Sequence, residues 1–288
     1  MRPLLACFLT LVILPALHTS ASPLAYKSQQ VAASDITKSV VFFRVPKKVQ
    51  NAAGVQGDAL EIGTGFIANL NGILFIITAS HVARQMNAAS LITISGESDR
   101  AATFPMSDFI SSNEQPSWVY HPIADVGVLR LKPSPAVSNQ LTGRGLPPAV
   151  FISSLEAPSR SRPLTVVGFP LGLGVISTGP DARLSAITKE SKAASGLLTL
   201  RRADNQQATE FFLLDSPSVG GFSGAPVMIL PTAFSEGDAL KFSNATFCVG
   251  LVHGTLSDET GGKFAAIVPS AFITQTLEAA YLRETQRK

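Results

Sequence analysis

The stretch DSPSVGGFSGAPVMIL, residues 215–230, sets three glycines close to Ser223, just before an apolar run. A turn between two strands needs glycine, but one or two are enough. Gly220 and Gly221 allow backbone conformations that other residues rarely adopt. The N–H groups of Gly221 and Ser223 can then converge on one point, as they must where a negatively charged oxygen is to be stabilised. The sequence therefore predicts that the backbone is shaped around the Ser223 hydroxyl.

A histidine and an aspartate stand earlier in the chain, at the ends of two other apolar runs. His81 lies in IITASHV, where one run ends, and Asp125 opens the run DVGVLRL. Strand ends are where a scaffold presents reactive groups to a cleft. Each residue also has an ordinary interpretation, as a solvated or structural histidine and a turn aspartate. Their order favours chemistry, because a hydroxyl nucleophile needs a base and the base needs a group that orients it.

Together these motifs make the sequence resemble the chymotrypsin-like, or trypsin-fold, serine proteases. TASHV is similar to the family's Thr-Ala-Ala-His signature, DVGVLRL to its Asp-Ile-Ala-Leu-Leu strand, and GGFSGAP to its Gly-Asp/Asn-Ser-Gly-Gly-Pro turn. The separations (125 − 81 = 44 and 223 − 125 = 98) are of the size the family uses. VVGFPLGLGVISTG, residues 166–179, adds a likeness to the bacterial HtrA-like protease domains, here without the PDZ module. The resemblance spans residues 63–254.

The resemblance implies an all-β fold of two antiparallel six-stranded β-barrels, with the site in the cleft between them and a C-terminal helix. It implies serine endopeptidase activity through an acyl-enzyme. Ser223 would be the nucleophile, His81 the general base, and Asp125 the group that orients the His81 ring. The N–H groups of Gly221 and Ser223 would form the oxyanion hole, worth about 2.7–4 kcal/mol for one donor. No metal ion or organic cofactor is expected, and protein or peptide substrates are the expected partners.

The walls of the primary substrate pocket, by the same resemblance, are residues 217–220 and 251–254. Ser218, His253 and Gly254 are therefore the expected substrate-binding residues. Two preferences stay open: an acidic or amide side chain bound by His253 and Ser218, or a small or medium apolar one. We favour the apolar preference, because recognition of a charged side chain requires a placement of polar groups that sequence does not fix.

Phe222, directly before the serine, departs from the family pattern. Family members activated by cutting a propeptide carry Asp there, which pairs with the new N-terminal amine, and Phe cannot form that ion pair. The sequence therefore predicts no activation of that kind and requires a pocket for a bulky apolar ring beside Ser223. His121, four residues before Asp125, is a rival for the base that we interpret as structural or rim-exposed.

The N-terminal residues have the layout of a secretory signal peptide, with one Arg, an apolar run over residues 4–17 and small residues up to Ala21. The run is shorter than the ~20 residues that a membrane-spanning helix needs. Residues 1–21 are therefore predicted to be removed and residues 22–288 to be secreted or periplasmic, with no stable membrane insertion. The net charge of +3, without a Lys/Arg cluster, makes nucleic acid a poor candidate partner. Cys248, in an apolar run, is expected to be buried.

Short apolar runs separated by Gly and Pro predict strands in two lobes, over residues 36–131 and 163–270. Asn71-Gly72 predicts a tight hairpin. Residues 132–162, rich in Pro, Ser and Gly, are the predicted connection between the lobes. Only residues 270–288 predict a helix, with Ser270 as its cap. Its apolar face would contain Ile273, Leu277, Ala280 and Tyr281.

Two other classes of protein are weighed against the protease. A trypsin-fold protein that binds but no longer cleaves would fit the unusual Phe222, although all three triad residue types are present. A carbohydrate-binding β-sandwich would need no His, Asp and Ser in this order.

Overall fold

The chain forms two β-sheets in succession, followed by a helix. The computed structural model describes residues 31–50, 56–96, 99–110, 115–179, 181–237, 239–257 and 259–286 of the 288. The predicted signal peptide, residues 1–21, lies outside the described residues. The prediction of an all-β fold with two antiparallel lobes and a C-terminal helix is confirmed.

The first sheet contains seven antiparallel strands. They are β1 (Val40–Gln50), β2 (Gln56–Leu70), β3 (Ile73–Thr78), β4 (Leu91–Ser95), β5 (Ala101–Pro105), β6 (Val119–Tyr120) and β7 (Gly127–Arg130). Their order across the sheet is β5-β4-β1-β2-β3-β7-β6. Strand β3, with the sequence ILFIIT, is buried over its last four residues, as expected of β-branched and aromatic residues in a central strand.

The hairpin between β2 and β3 follows the local sequence signal. Asn71 and Gly72 have φ values of 53° and 82°, and the flanking Leu70 and Ile73 pair directly. Two central residues with positive φ are characteristic of the type I′ turn, whose twist matches that of the strands. The predicted Asn-Gly hairpin is therefore confirmed.

The second sheet also contains seven antiparallel strands, and two separate hairpins accompany it. The remaining strands of the chain are β8 (Leu164–Gly168), β9 (Val175–Ile176), β10 (Arg183–Leu184), β11 (Ile187–Ser191), β12 (Leu198–Arg201), β13 (Ala208–Leu214), β14 (Pro226–Ile229), β15 (Thr232–Glu236), β16 (Ala239–Ser243), β17 (Phe247–Ser257) and β18 (Lys263–Pro269). The second sheet has the order β11-β8-β14-β17-β18-β13-β12, and β9–β10 and β15–β16 form the hairpins.

Each sheet has one strand more than the six that the resemblance implied. The two-residue strand β6 pairs only with β7, and β12 pairs only with β13. Both are edge strands that extend a local hairpin, and such short additions leave no separate apolar run in the sequence. The two-barrel arrangement is otherwise consistent with this topology.

Four α-helices are present in the described part of the chain: α1 (Ala33–Ser39), α2 (Ser80–Ala83), α3 (Pro135–Leu141) and α4 (Ser270–Thr285). The predicted C-terminal helix is confirmed as α4, which buries Ile273, Leu277 and Ala280. Its predicted cap is wrong, because Pro269 occupies the N-cap position and Ser270 is the first helical residue. The chain enters α4 directly from β18, and the extended ψ of 145° at Pro269 sets the start of the helix. No helix among the described residues is long and apolar enough to cross a membrane.

The segment between the lobes packs against both sheets. It contains α3, and its Leu146 bridges to Ala68 of β2 while Phe151 bridges to Cys248 of β17. Leu146, Val150 and Phe151 are buried within an apolar core that runs through both lobes. Buried apolar surface therefore joins the lobes. It brings the end of β3 and the start of β7 close to the turn between β13 and β14.

Candidate active site

His81 and Asp125 are brought together by the pairing of β3 with β7. Thr78, at the end of β3, pairs with Gly127 at the start of β7. His81 follows in the short helix α2, and Asp125 precedes β7. The His81 Nδ1 atom lies 2.7 Å from the Asp125 Oδ2 atom, and the His81 backbone N–H donates to Oδ1 over 3.0 Å. The first lobe alone therefore builds this pair.

The Asp125 carboxylate accepts hydrogen bonds from three further groups. The Ser80 hydroxyl (2.6 Å) and the Arg202 Nη2 atom (3.0 Å) donate to Oδ1, and His253 Nδ1 lies 2.5 Å from Oδ2. The carboxylate is completely buried. Burial acts to raise its pKa, but the hydrogen bonds from His253 and His81 outweigh it and hold the pKa of Asp125 well below the ordinary value. Asp125 is therefore an anion in the folded protein.

The charge of Asp125 fixes the protons on both rings. An ionised carboxylate only accepts, so the Nδ1 atoms of His81 and His253 must each carry a proton. His81 Nε2 is then left as an acceptor, which is the state a general base needs. Burial acts to lower the pKa of His81, but the hydrogen bond to Asp125 and the charges of Asp125, Asp204 and Glu61 raise it above its ordinary value.

Ser223 lies in the turn between β13 and β14. Its hydroxyl donates to the carbonyl oxygen of His253 over 3.2 Å and, among the described contacts, makes no hydrogen bond to the His81 ring. The same His253 contacts Asp125 through its ring, and its ring centroid lies 5.6 Å from that of His81. One residue of the second lobe thus touches all three predicted triad residues.

The backbone around Gly221 is fixed by its neighbours, and the Gly221 N–H has no hydrogen-bond partner within the described residues. Gly221 has a φ of 93°, and a Cβ atom there would lie 2.5 Å from the carbonyl oxygen of Phe169. The Gly220 carbonyl accepts from Leu171 N–H over 2.7 Å, so the Gly221 N–H, on the opposite side of the same trans peptide, points away from Leu171. In the part of the chain that the structure describes, no hydrogen bond uses the N–H of Gly221 or of Ser223.

Thr64 of the first lobe fixes this loop from the other side. Its hydroxyl donates to the Gly221 carbonyl over 2.7 Å and accepts from the Phe169 N–H over 3.1 Å, while its own N–H donates to the Ser223 carbonyl over 3.0 Å. Thr64 is completely buried, and three hydrogen bonds of this kind define the path of the loop. Nothing in the sequence around Thr64 identified this role.

Phe222 is accommodated in the core of the second lobe. The ring is 2% exposed. It belongs to a cluster of buried apolar side chains formed with Leu164, Val166, Ala193, Phe212, Leu214, Ala225, Val227, Ile229, Val249, Val252, Ala265 and Ile267. Gly168 leaves room for the ring, because a Cβ atom there would lie 2.9 Å from Phe222 Cδ1. Phe222 therefore anchors the serine loop by apolar packing.

The predicted substrate pocket is small. Its side walls are linked by a 2.8 Å hydrogen bond from the Thr255 hydroxyl to the Ser218 carbonyl, and Gly254 lies beside Thr255. The cavity nearby measures about 10 Å³ and is bordered by Val252, Phe222 and Ser218 among others. Lys189 also borders it and donates to the Pro217 carbonyl.

The His253 ring turns towards Asp125 rather than along this pocket. The 2.5 Å contact with the carboxylate occupies its Nδ1 atom, and Ala203 N–H approaches its Nε2 atom at 3.4 Å. The assignment of Ser218, His253 and Gly254 to substrate binding stays a prediction.

Two other buried polar residues contact Asp125, and no pattern in the sequence predicted either contact. Arg202, 2% exposed, reaches Asp125 from the second lobe, and Ser80 fills a position where the family signature has Ala. The rival base, His121, is engaged elsewhere. It accepts at Nδ1 from the Ala124 N–H and contacts Gln275 of α4 through Nε2. Burial lowers the pKa of His121, although the Gln275 contact opposes the shift.

His81, Asp125 and His253 also present potential metal ligands within 4.8 Å of one another. Both rings already direct protons at the single oxygen Oδ2. The Arg202 guanidinium on the other oxygen adds a positive charge that would repel a divalent cation. The cluster fits a hydrogen-bonded acid–base pair better than a metal centre.

Comparison with protein families matches residues 63–229, more than half of the chain, to the trypsin-like peptidase domain. The match begins just before Thr64 and includes His81, Asp125 and Ser223. No curated protein sequence matches the chain significantly.

Proposed function

The chain belongs to the trypsin-like peptidase family, and from this premise we propose that it is a serine endopeptidase that hydrolyses peptide bonds through an acyl-enzyme. Ser223 is the nucleophile, His81 the general base and Asp125 the group that orients His81. The observation that carries the proposal is the double contact of His253. Its ring lies 2.5 Å from Asp125, and its carbonyl accepts the Ser223 hydroxyl over 3.2 Å. His253 thus links the proposed nucleophile to the proposed acid–base pair, which supports the proposal.

In the proposed first step, Ser223 Oγ attacks the scissile carbonyl carbon and His81 Nε2 takes the hydroxyl proton. The hydroxyl must first leave the His253 carbonyl, and we propose that a rotation of the serine side chain does this. Contacts of this kind are commonly looser without substrate than in the reacting complex. His81 then gives the proton to the leaving amine as the C–N bond breaks. Asp125, an anion in the fold, stabilises the imidazolium that forms between these two transfers.

The N–H groups of Gly221 and Ser223 are proposed to bind the oxygen that becomes negative during each transfer. Both groups are free of partners within the described residues, and Leu171 and Thr64 hold the carbonyls on either side of Gly221. Preorganised donors of this kind are worth about 2.7–4 kcal/mol each in the transition state. Water then attacks the acyl-enzyme by the same route, with His81 again as the base, and releases Ser223.

We further propose a preference for a small apolar side chain on the acyl side of the cleaved bond. The hydrogen bond from Thr255 to Ser218 ties together the two predicted walls of the pocket, and the cavity of about 10 Å³ that Ser218 borders holds roughly one water. The alternative, recognition of an acidic side chain by His253, lacks support because Asp125 occupies that ring. A peptide library should show cleavage after small residues, and Thr255→Gly should extend cleavage to larger ones. Cleavage by the wild type after Glu or Asp would overturn this preference.

The test of the enzyme assignment is covalent labelling by a fluorophosphonate probe. The wild type should be labelled, and Ser223→Ala should not be. Ser235→Ala, which removes an exposed hydroxyl from β15, should be labelled like the wild type. Absence of labelling in correctly folded wild type would overturn the protease assignment and favour the alternative of a binding protein with the same fold. That alternative draws on one observation, the engagement of the Ser223 hydroxyl by a carbonyl instead of His81.

Export of the chain is also proposed, with residues 1–21 as a cleaved signal, residues 22–288 as the mature protease domain, and a secreted or periplasmic location. The support is the sequence layout of residues 1–21 alone. N-terminal sequencing of the exported protein should begin close to residue 22. Leu11→Arg, which interrupts the apolar run, should prevent export, and retention of the whole chain inside wild-type cells would contradict the proposal.

A relationship to the HtrA-like branch, without the PDZ module, is proposed on the segment of residues 166–179. This segment contacts the loop that carries Gly221 through the Leu171 N–H, which donates to the Gly220 carbonyl. A phylogeny of protease domains that included this chain and separated it from that branch would contradict the proposal.

A further inference from the structure

Arg202 is the most deeply buried charged side chain that the proposed mechanism does not use. It follows β12 and is 2% exposed. All of its nitrogen atoms are engaged within the described structure. Nε and Nη2 donate to Asp204 over 2.9 and 2.6 Å, Nη2 also reaches Ser80 Oγ and Asp125 Oδ1 at 2.8 and 3.0 Å, and Nη1 donates to the Ile123 carbonyl over 3.2 Å.

These partners divide between the lobes. Asp125, Ser80 and Ile123 belong to the first lobe, whereas Arg202 and Asp204 belong to the second. Removing a guanidinium from water costs several kcal/mol and is tolerated only with excellent geometry and full hydrogen bonding. Apolar packing already joins the lobes, so docking alone does not require this cation. Its position on the carboxylate next to His81 points to a role in the site.

We propose that Arg202 is a positioning residue for the His81–Asp125 pair, contributed by the second lobe; this rests on the proposed function of that pair. Arg202, Ser80 and the His81 backbone N–H occupy one oxygen of the carboxylate, Oδ1. The other oxygen, Oδ2, is thereby turned to the His81 ring and to His253. Three donors on one oxygen prevent the carboxylate from rotating, so the His81 ring keeps a single orientation and tautomer.

Asp204 balances the charge that Arg202 brings. A cation on Asp125 weakens the attraction that keeps a proton on His81, whereas the Asp204 carboxylate acts in the opposite direction and raises the pKa of His81. The charged or titratable groups around the His81 ring are Asp125, Asp204, Glu61, Arg202 and His253. The charges of Arg202 and Asp204 cancel. The pair can thus hold the Asp125 carboxylate without adding a net charge beside His81.

The test follows the His81 ring by NMR in protein labelled at histidine nitrogens, in the Ser223→Ala background. Removing the cation with Arg202→Met should raise the pH at which His81 titrates. Removing the anion with Asp204→Asn should lower it. The control is Arg201→Met at a neighbouring exposed arginine. Within the described residues its guanidinium binds only the Gln206 carbonyl, and the substitution should leave the titration unchanged. Shifts of opposite sign would show that both charges act on His81, and the kinetic readout tests whether Arg202 also holds the pair in position.

The same substitutions with Ser223 present give the catalytic readout. Arg202→Met should lower kcat by about 100-fold with little change in KM, as expected when a reacting group is displaced by about 1 Å. Arg202→Lys keeps the charge without the planar fork, and should keep the titration of His81 near that of the wild type while recovering only part of kcat.

Several outcomes would overturn the proposal. One is a folded Arg202→Met protein with the wild-type titration and kcat. Where Arg202→Met fails to fold, an Asp204→Asn protein that folds and titrates like the wild type would overturn it equally. The NMR titration requires no turnover. A protein that no probe labels and that cleaves no peptide would refute the proposed function, and the titration of His81 would still test the role of Arg202.

Discussion

The two halves of the candidate site are held in different ways. The acid–base half is held by polar contacts, since the buried Asp125 carboxylate accepts five hydrogen bonds from Ser80, His81, Arg202 and His253. The nucleophile half is held by hydrogen bonds from Thr64 and Leu171 to its backbone carbonyls, and by apolar packing. The Ser223 hydroxyl makes a single 3.2 Å contact, and the neighbouring Phe222 is buried in the core of the second lobe.

The difference follows from what each half must do. Asp125 keeps one charge state and His81 must keep one orientation, which several directional hydrogen bonds achieve. In the proposed mechanism, the serine hydroxyl must change partner, and the two N–H groups beside it must stay free for the oxyanion. Such a loop has to be fixed without using those groups, and a buried phenyl ring with no polar atoms meets this need.

The largest effect should come from the acid–base half. Asp125→Asn should lower kcat by about 10⁴-fold, because an amide can donate to His81 and favour the wrong tautomer. The thermal midpoint should fall as well, since Arg202 loses its charged partner. Steady-state kinetics and thermal unfolding measure the two effects, with Asp181→Asn, at an exposed position, as the control. An Asp125→Asn kcat within tenfold of the wild-type value would contradict the view that polar contacts to Asp125 hold the acid–base half.

The apolar anchor should show in stability. Phe222→Ala should lower the free energy of unfolding by about 3–5 kcal/mol, because it leaves a cavity in the core of the second lobe. Phe242→Ala removes the same side chain from β16, where it is 74% exposed, and should change stability by less than about 0.5 kcal/mol. Denaturant unfolding separates the two. Equal losses would show that the serine loop does not depend on the buried ring.

Gly221 tests the oxyanion side of the nucleophile half. Gly221→Ala should lower kcat by about 10²–10³-fold, because the new Cβ meets the Phe169 carbonyl and turns the N–H away from the forming oxyanion. The control is Gly179→Ala. Gly179 also has a positive φ, of 86°, but its Cβ would meet nothing within 4 Å. Comparable kcat values for the two variants would contradict the assignment of the Gly221 N–H to the oxyanion.

The smallest effect should be on pH dependence. His81 must be neutral to act as a base, and its pKa is raised because Asp125 outweighs the effect of burial. Activity should therefore fall as the pH drops through a midpoint above the ordinary histidine value of about 6.5. Glu61 contributes to this shift, so Glu61→Gln should move the midpoint of kcat/KM slightly down, and less so at high salt. A midpoint that moved up would contradict the assigned sign.

Local pattern predicted much of the molecule. Asn71-Gly72 specified the hairpin, because positive φ at two successive residues is a local requirement. The apolar periodicity of the segment 270–288 specified α4. The cap of α4 and the edge strands β6 and β12 were missed. These depend on where the chain leaves a strand and on which edges stay unpaired, and both are set by neighbours distant in sequence.

The sequence by itself determined the residue types of the candidate site, their order, and the need for an apolar pocket beside Ser223. These follow from chemistry and local conformation, which a short segment carries in full. Only the tertiary structure decided that the His253 ring turns to Asp125, that Arg202 donates to the Asp125 carboxylate, and that Thr255 donates to the Ser218 carbonyl. Asp125 is 128 residues from His253 and 77 from Arg202. Hydrogen bonds over such separations depend on how two lobes dock, and docking is a property of the whole buried surface rather than of any motif.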